Sequence, residues 1–382
     1  MDLPLDYETL RIIWWGLLGI ILIGFAVTDG FDMGVGALLP FVARTDAEKR
    51  VTINTIGPVW EGNQVWLVLG GGAIFAAFPL VYAVSFSGFY LAMFATLFAL
   101  ILRPVAFKYR SKRNDPRWRA MWDWALFIGG FVPALIFGVA VGNALQGVPF
   151  RFDDTLRMTY EGNFWGLLNP FALLCGLTSV AMLVMHGAAW LGLKADDPVR
   201  SRARGIGMIA ALLSLVLFAL GGIWIMQSGM GYVINGAIAP NTPANPHLYD
   251  VSLQAGGWLA NYSVYPWMIA APAIGLLGAA LAFVGLWLRS EPVAFTGSSL
   301  SAAGIIASVG ASMYPFILPS SLDPGSSLTA WSASSSHLTL FIMLIVTVVF
   351  LPIVLAYTAW AFKVMWGRVT AEDINRDPHA VY

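Results

Sequence analysis

Residues 12–34 read Ile-Ile-Trp-Trp-Gly-Leu-Leu-Gly-Ile-Ile-Leu-Ile-Gly-Phe-Ala-Val-Thr-Asp-Gly-Phe-Asp-Met-Gly, an unbroken apolar run from Ile12 to Val27 that carries two acids, Asp29 and Asp32, just beyond it. With its flanks the run predicts a helix over 9–41, long enough to cross a bilayer. The same pattern recurs along the 382 residues, of which 58% are hydrophobic and only 11% charged. Mean hydropathy is +0.73. Soluble globular chains carry about 25% charged residues, and one water-soluble core could not hide this much apolar surface. The fold class expected is an all-α polytopic membrane protein. No small-residue cleavage site follows Val27, so the first helix is expected to be retained.

Working outward, nine transmembrane helices are expected: 9–41, 50–78, 80–107, 119–146, 164–192, 205–228, 264–288, 296–317 and 337–364. Region 50–107 is the ambiguous one, and charge resolves it, because short cytoplasmic loops collect Lys and Arg. Nine helices put all of the 21 Lys and Arg residues except Arg11, Arg103, Arg151 and Arg157 on one side. Eight would scatter them. The amino terminus is then outside and the carboxyl terminus, with Arg376 and His379, cytoplasmic. A break near Pro79 suits a residue that cannot continue the helix ladder. The external connection, about 229–263, has no Lys or Arg and is rich in Pro, Asn and Gly, which favours a folded loop over a helix. Residues 1–382 form a single integral membrane domain in this reading.

Charged side chains deep in hydrocarbon cost at least ~2.5–3.5 kcal/mol and need a reason. Asp29 and Asp32 share one helix face. Glu61 lies within Trp60-Glu61-Gly62-Asn63-Gln64 on the second helix. A rise of about 1.5 Å per residue puts Asp29 and Asp32 roughly 15–20 Å from the inner end, Glu61 roughly 15–17 Å, and Arg103 and Asp123 within roughly 10 Å. The series therefore enters from the cytoplasmic side. One reading pairs Arg103 with Asp123 or Asp32 as a structural tie. The other has the buried carboxylates Glu61, Asp29 and Asp32 passing protons inward.

Other residues carry less. The single cysteine, Cys175, permits no internal disulfide and reads as packing. His186 is the one histidine inside a predicted helix, and a lone membrane histidine reads as hydrogen-bonded structure rather than a haem or metal ligand. Trp14, Trp15, Trp118, Trp122, Trp124, Trp360 and Trp366 fall near helix ends, as aromatic belts do. Trp60 and Trp66 flank Glu61 and are candidates to line a site, with core packing the default. Asn261-Tyr262-Ser263 fits a glycosylation sequon by accident of a short pattern. A net charge of zero gives no bulk pull on nucleic acid.

Several stretches carry a family resemblance. They include Asp6-Tyr7-Glu8, Gly24-Phe25-Ala26-Val27-Thr28-Asp29-Gly30-Phe31-Asp32-Met33-Gly34, Gly62-Asn63-Gln64-Val65-Trp66 and Arg103-Pro104. Tyr109-Arg110-Ser111-Lys112, Met121-Trp122-Asp123-Trp124, Gln146-Gly147-Val148-Pro149-Phe150, Tyr314-Pro315-Phe316 and the tail from Gly367 continue it. Over nearly its whole length the chain resembles subunit II of bacterial cytochrome bd ubiquinol oxidase. The resemblance implies two four-helix bundles plus one peripheral helix in the bacterial cytoplasmic (inner) membrane. It implies as partners subunit I, one or two small single-helix subunits, lipid, quinol and oxygen. Haem b and haem d of the complex would sit mainly on subunit I, and subunit II can hold a structural quinone. The family reaction oxidises quinol and reduces oxygen to water with cytoplasmic protons, building a gradient without pumping. Subunit II would support haem assembly, a proton path and an oxygen route. Glu61 stands where the family's proton-path acid belongs, often an aspartate. Asp29 and Asp32 match the acids of the first motif, and Asp32, Arg103 and Asp123 match positions near the haem-bearing interface. Two alternatives remain: an independent ion-coupled membrane transporter, since membrane acids and glycine-interrupted helices also mark transporters, and a scaffold without a proton role.

Overall fold

Helix α1 (Tyr7–Val42) realises the opening run, capped by the Asp6 carboxylate accepting from the Thr9 N–H at 3.3 Å. The computed structural model describes residues 3–370, Glu372 and Ile374. Arg376 and His379 lie outside the described residues.

The expected second helix, 50–78, is two helices. α2 (Asp46–Asn54) starts at a capping box between Thr45 and Glu48, and α3 (Trp60–Ala77) follows a turn at 55–59. Gly57-Pro58 explains the break, since proline brings no N–H and restricts the residue before it. The chain then bends by 120° into α4 (Pro79–Gly88). The expected helix 80–107 is likewise interrupted, resuming as α5 (Tyr90–Tyr109). α6 (Pro116–Gln146) begins on an Asp115 cap with proline in the first turn, where its missing N–H is harmless. A hairpin of β1 (Phe150–Phe152) and β2 (Met158–Tyr160), in register Phe150↔Tyr160, leads to α7 (Pro170–Lys194). That helix starts at its Asn169 cap, six residues later than expected.

α8 (Val199–Ser228) ends at Gly229, whose φ of +67° suits glycine. The long connection is folded, as expected, through β3 (Tyr232–Asn235) and antiparallel β4 (Asp250–Leu253), but its end forms a short helix, α9 (Gly257–Val264). The Asn261 amide there donates to the carbonyls of Ala311 (2.9 Å), Ser312 and Tyr314, so this side chain locks the loop to the bundle. α10 (Ala270–Trp287) and α11 (Glu291–Met313) follow. α11 stops before Tyr314-Pro315, and Phe316 and Ile317, expected in the helix, instead open β5 (Phe316–Leu318), paired with β6 (Leu328–Thr329). α12 (His337–Val364) closes the series on a Ser336 cap.

Among the described residues eight helices are long and apolar enough to cross a membrane, or nine with the bent pair α3–α4 as one span. α1, α3, α5 and α6 pack together, as do α7, α8, α10 and α11, and the two groups join where α7 meets both α1 and α6. α12 is peripheral: only 6% of its most apolar window is buried. The joint between groups depends on missing side chains. A Cβ on Gly34 would collide with the Leu183 carbonyl, and one on Gly187 with the Gly34 backbone, so α1 and α7 touch backbone to backbone.

The two ends of the bundle are chemically distinct. At one, Tyr7 bonds the Ser335 carbonyl (2.6 Å) and the Ser335 N–H bonds Ala77, the end of α3. Arg11, expected at the surface, is fully buried there, under the Pro240 and Thr242 carbonyls and over the Tyr7 ring. Trp14 is buried rather than belt-like and donates to the Leu340 carbonyl of α12 (2.9 Å). At the opposite end Arg202 reaches Glu48 (2.6 Å), Arg204 reaches Glu291 (3.2 Å), and the Val369 N–H bonds the Lys194 carbonyl (2.8 Å). The cation-rich connections thus gather at one face. Burial pushes the Glu48 carboxyl up, but hydrogen bonds from the Arg44 N–H and the Arg202 guanidinium outweigh it and hold the group below the usual range.

Candidate functional site

Two carboxylates three residues apart on α1 face one guanidinium on α5. Arg103 grips Asp29 through both ends of its fork, Nη1–Oδ2 at 3.0 Å and Nη2–Oδ1 at 2.7 Å. This bidentate geometry is the strongest that arginine offers a carboxylate. Asp32 Oδ2 stands 4.0 Å from Arg103 Nη2 and accepts from the Asn63 amide of α3 at 2.8 Å. Among the described residues its Oδ1 has no hydrogen-bond partner. Asp29, Asp32, Arg103 and Asn63 are all buried. The cluster therefore ties three helices and holds one carboxylate oxygen ready for a further donor.

The sequence expectation for Arg103 is half right. It lies within reach of Asp32, but its principal partner is Asp29, and Asp123 is elsewhere. Asp123 sits at the charged end of the bundle, taken by Arg110 Nε at 2.5 Å and Lys49 Nζ at 2.9 Å. Arg110 turns its Nη2 to Asp46 (2.9 Å), which also accepts from Arg119 (2.8 Å). Sequence reading counted Arg110 among loop cations, yet it is only 2% exposed and organises this second cluster.

Glu61 is in the first turn of α3, not midway along a helix, where a carboxylate favours the positive end of the helix dipole. Its depth nonetheless stands. Asn63, two residues on, bonds Asp32, ten residues from the Val42 end of α1, hence about 15 Å in. Glu61 is exposed and makes no ion pair among the described residues. At helical spacing it shares its face with Val65 and Val68, exposed by 53% and 72%. Trp60 and Trp66 do not line a site around it. Trp60 is buried and stacks on Phe107 at 4.9 Å, and Trp66 packs against Gly24.

His186 has both nitrogens engaged, Nε2 with the Val27 carbonyl (2.9 Å) and Nδ1 with Ser298 Oγ (2.8 Å), and stacks on Phe295. His337 Nε2 is held by the Leu5 carbonyl at 2.7 Å. Among the described residues no three His, Cys, Asp or Glu side chains come together as a metal site. With both ring nitrogens taken, His186 has none left for axial ligation of a haem.

Comparison with known proteins extends this picture. The family described as "Cytochrome bd terminal oxidase subunit II" matches residues 10–365. The chain is 50% identical over 378 residues to cytochrome bd-I ubiquinol oxidase subunit 2 of Escherichia coli (strain K12), covering 99% of this chain and all of that protein. It is 30% identical over 368 residues to cytochrome bd ubiquinol oxidase subunit 2 of Bacillus subtilis (strain 168), covering 96% and 98%. A solved structure, the bd oxidase from Geobacillus thermodenitrificans, matches with a TM-score of 0.68 over 93% of this chain and 98% of the other, at 18% identity. That last likeness is one of fold.

Proposed function

Because the chain belongs to the cytochrome bd terminal oxidase subunit II family, we propose that, as a multi-pass membrane subunit of an oxidoreductase, it relays cytoplasmic protons through Glu61 to a haem-bearing subunit I during quinol-driven reduction of oxygen to water. The observation that carries this is Glu61: a carboxylate about 15 Å inside the bundle, exposed on a face that continues with Gln64, Val65 and Val68. Bare hydrocarbon is a costly neighbour for such a group, so a partner protein covers that face. A proton held at Glu61 is then at the boundary with the partner, across α3 from Asn63 and the Asp29–Arg103–Asp32 cluster. Asp32, with Oδ1 open to a donor, is a further acid on the path; Asp29, clamped by Arg103, positions the helices.

Haem b and haem d belong to subunit I in this reading, in keeping with the two engaged nitrogens of His186. Bound there, the haems supply the electron transfer and oxygen chemistry. This chain supports their assembly by fixing the α1–α5 interface through Arg103, and the inner end through Asp123. The groove of about 460 Å³ lined by Leu174, Leu220, Ile223, Trp224 and Gln227 offers apolar walls and one amide, suited to a structural quinone. Small single-helix subunits and an oxygen route complete the family arrangement. The side rich in Lys and Arg is cytoplasmic, so the amino terminus is outside and the carboxyl terminus inside the bacterial inner membrane. Proton uptake from that side builds the gradient without pumping.

The test is Glu61→Gln in the whole complex. Oxygen consumption is expected to fall while haem content stays near normal, and Glu61→Asp to retain much of the rate. Full turnover in Glu61→Gln at full haem content would leave only a scaffold role. The transporter alternative lacks any comparable support, whereas the family match spans nearly the whole chain.

A further inference from the structure

The charged end of the first bundle carries an open cavity of about 230 Å³ lined by Asp46, Lys49, Arg110, Asn114, Arg119 and Asp123. Three cations stand there against two carboxylates. Both acids are already spent. Asp123 accepts from Arg110 Nε and Lys49 Nζ, and Asp46 from Arg110 Nη2 and Arg119 Nη1. Arg119 is saturated further by the Asn114 side chain at 2.7 Å and the Arg113 carbonyl at 3.2 Å. Two donors are left over: Arg110 Nη1, buried and without an acceptor, and the unused protons of Lys49 Nζ. A buried guanidinium N–H without an acceptor is costly, because it has given up water for nothing. Next along the chain, burial pushes the Arg50 guanidinium down, against the pull of Asp46, with Arg110 and Arg119 adding to the push. Within the cavity's own lining, three cations face two carboxylates.

We infer that this cavity is an anion site that takes a phosphate group. Phosphate oxygens supply acceptors for Arg110 Nη1 and Lys49 Nζ together, and the negative charge balances the cluster. The surroundings favour the headgroup of an anionic lipid over the free ion. Trp118 and Trp122 are stacked edge to face at 5.6 Å beside Tyr109, and Met121 and Trp124 are half exposed on the same turn of α6. This is aromatic and apolar surface of the kind that meets acyl chains at a membrane boundary.

The experiment uses the intact complex, purified in mild detergent and stripped of lipid. Native mass spectrometry then follows binding of phosphatidylglycerol, of diacylglycerol as the phosphate-free counterpart, and of phosphatidylglycerol in competition with inorganic phosphate. Phosphatidylglycerol is expected to bind and diacylglycerol not. Lys49→Gln is expected to weaken retention about five-fold, the effect of one basic residue at a membrane surface, with Lys49→Arg restoring it. Arg110→Lys, which keeps the charge but loses the free Nη1, should also weaken it. Displacement by inorganic phosphate would identify the free ion as the occupant of the same site, and persistence would identify the lipid. Equal retention of both lipids, or retention unchanged in both Lys49→Gln and Arg110→Lys in complexes with normal haem spectra, would overturn the inference.

Discussion

Replacing Arg103 by leucine would leave Asp29 buried with neither of its two guanidinium hydrogen bonds, and would remove the cation nearest to Asp32 as well. Asp29 is 0% exposed and Arg103 only 2%, so water cannot easily take over the lost bonds. Breaking a buried pair from one side costs about 3–5 kcal/mol. That is a large part of the ~5–15 kcal/mol that holds a typical fold together. At roughly 2–4 °C per kcal/mol, the temperature at which the detergent-solubilised complex falls apart should drop by about 10 °C. Haem per complex, read from a reduced-minus-oxidised spectrum, should fall with it, because α1, α3 and α5 lose their common tie. Asp29→Asn should be milder, since Asp32 remains to balance Arg103. Combining Asp29→Asn with Arg103→Leu should recover part of the Arg103→Leu loss. An unchanged dissociation temperature and haem spectrum in Arg103→Leu, or a double variant as damaged as the two singles summed, would refute the reasoning.

Gly34→Val should destabilise the complex by several kcal/mol, as overpacking a tight contact does, because a side chain there meets the Leu183 carbonyl; the dissociation temperature checks it. Asn261→Ala should loosen the 229–263 connection and raise its susceptibility to added protease with little effect on haem, because three carbonyls of 311–314 lose their donor. The depressed Glu48 carboxyl contributes stability that is present above its ordinary value of 4.5 and lost as pH falls through its lower folded value. Glu48→Gln should therefore weaken the complex at neutral pH and flatten the acid limb of its stability profile, measured by the same dissociation temperature across pH.

Much of this architecture is legible in the sequence because a bilayer imposes simple rules. Apolar runs of sufficient length marked the spans, and Lys and Arg placement chose nine over eight. The spacing of Asp29 and Asp32 put both on one face, which is where Arg103 meets them. The turn at 55–59 had a signal in Gly57-Pro58, overridden by the apolar residues around it. Other features had none. Arg110 is one cation among several in 108–119, and nothing local distinguishes the one that folds inward. Arg11 is a lone cation near the start of the first helix, and only the distant 240–242 segment supplies the carbonyls that bury it. The choice of Asp29 rather than Asp123 as partner for Arg103 depends on how α1, α5 and α6 cross, which periodicity does not encode. The exposure of Glu61 likewise follows from which face of α3 turns away from α1.

The proton role of Glu61 is tested most directly by following proton uptake with a pH-sensitive dye as the fully reduced complex, in Glu61→Gln and unaltered forms, reacts with oxygen. A positioned proton-transfer group contributes about 10²–10⁴ in rate, so uptake in Glu61→Gln should lag the unaltered complex by at least about tenfold while the haems bind oxygen at the normal rate. Proton uptake in Glu61→Gln as fast as in the unaltered complex, at equal haem content, would contradict a path through this residue.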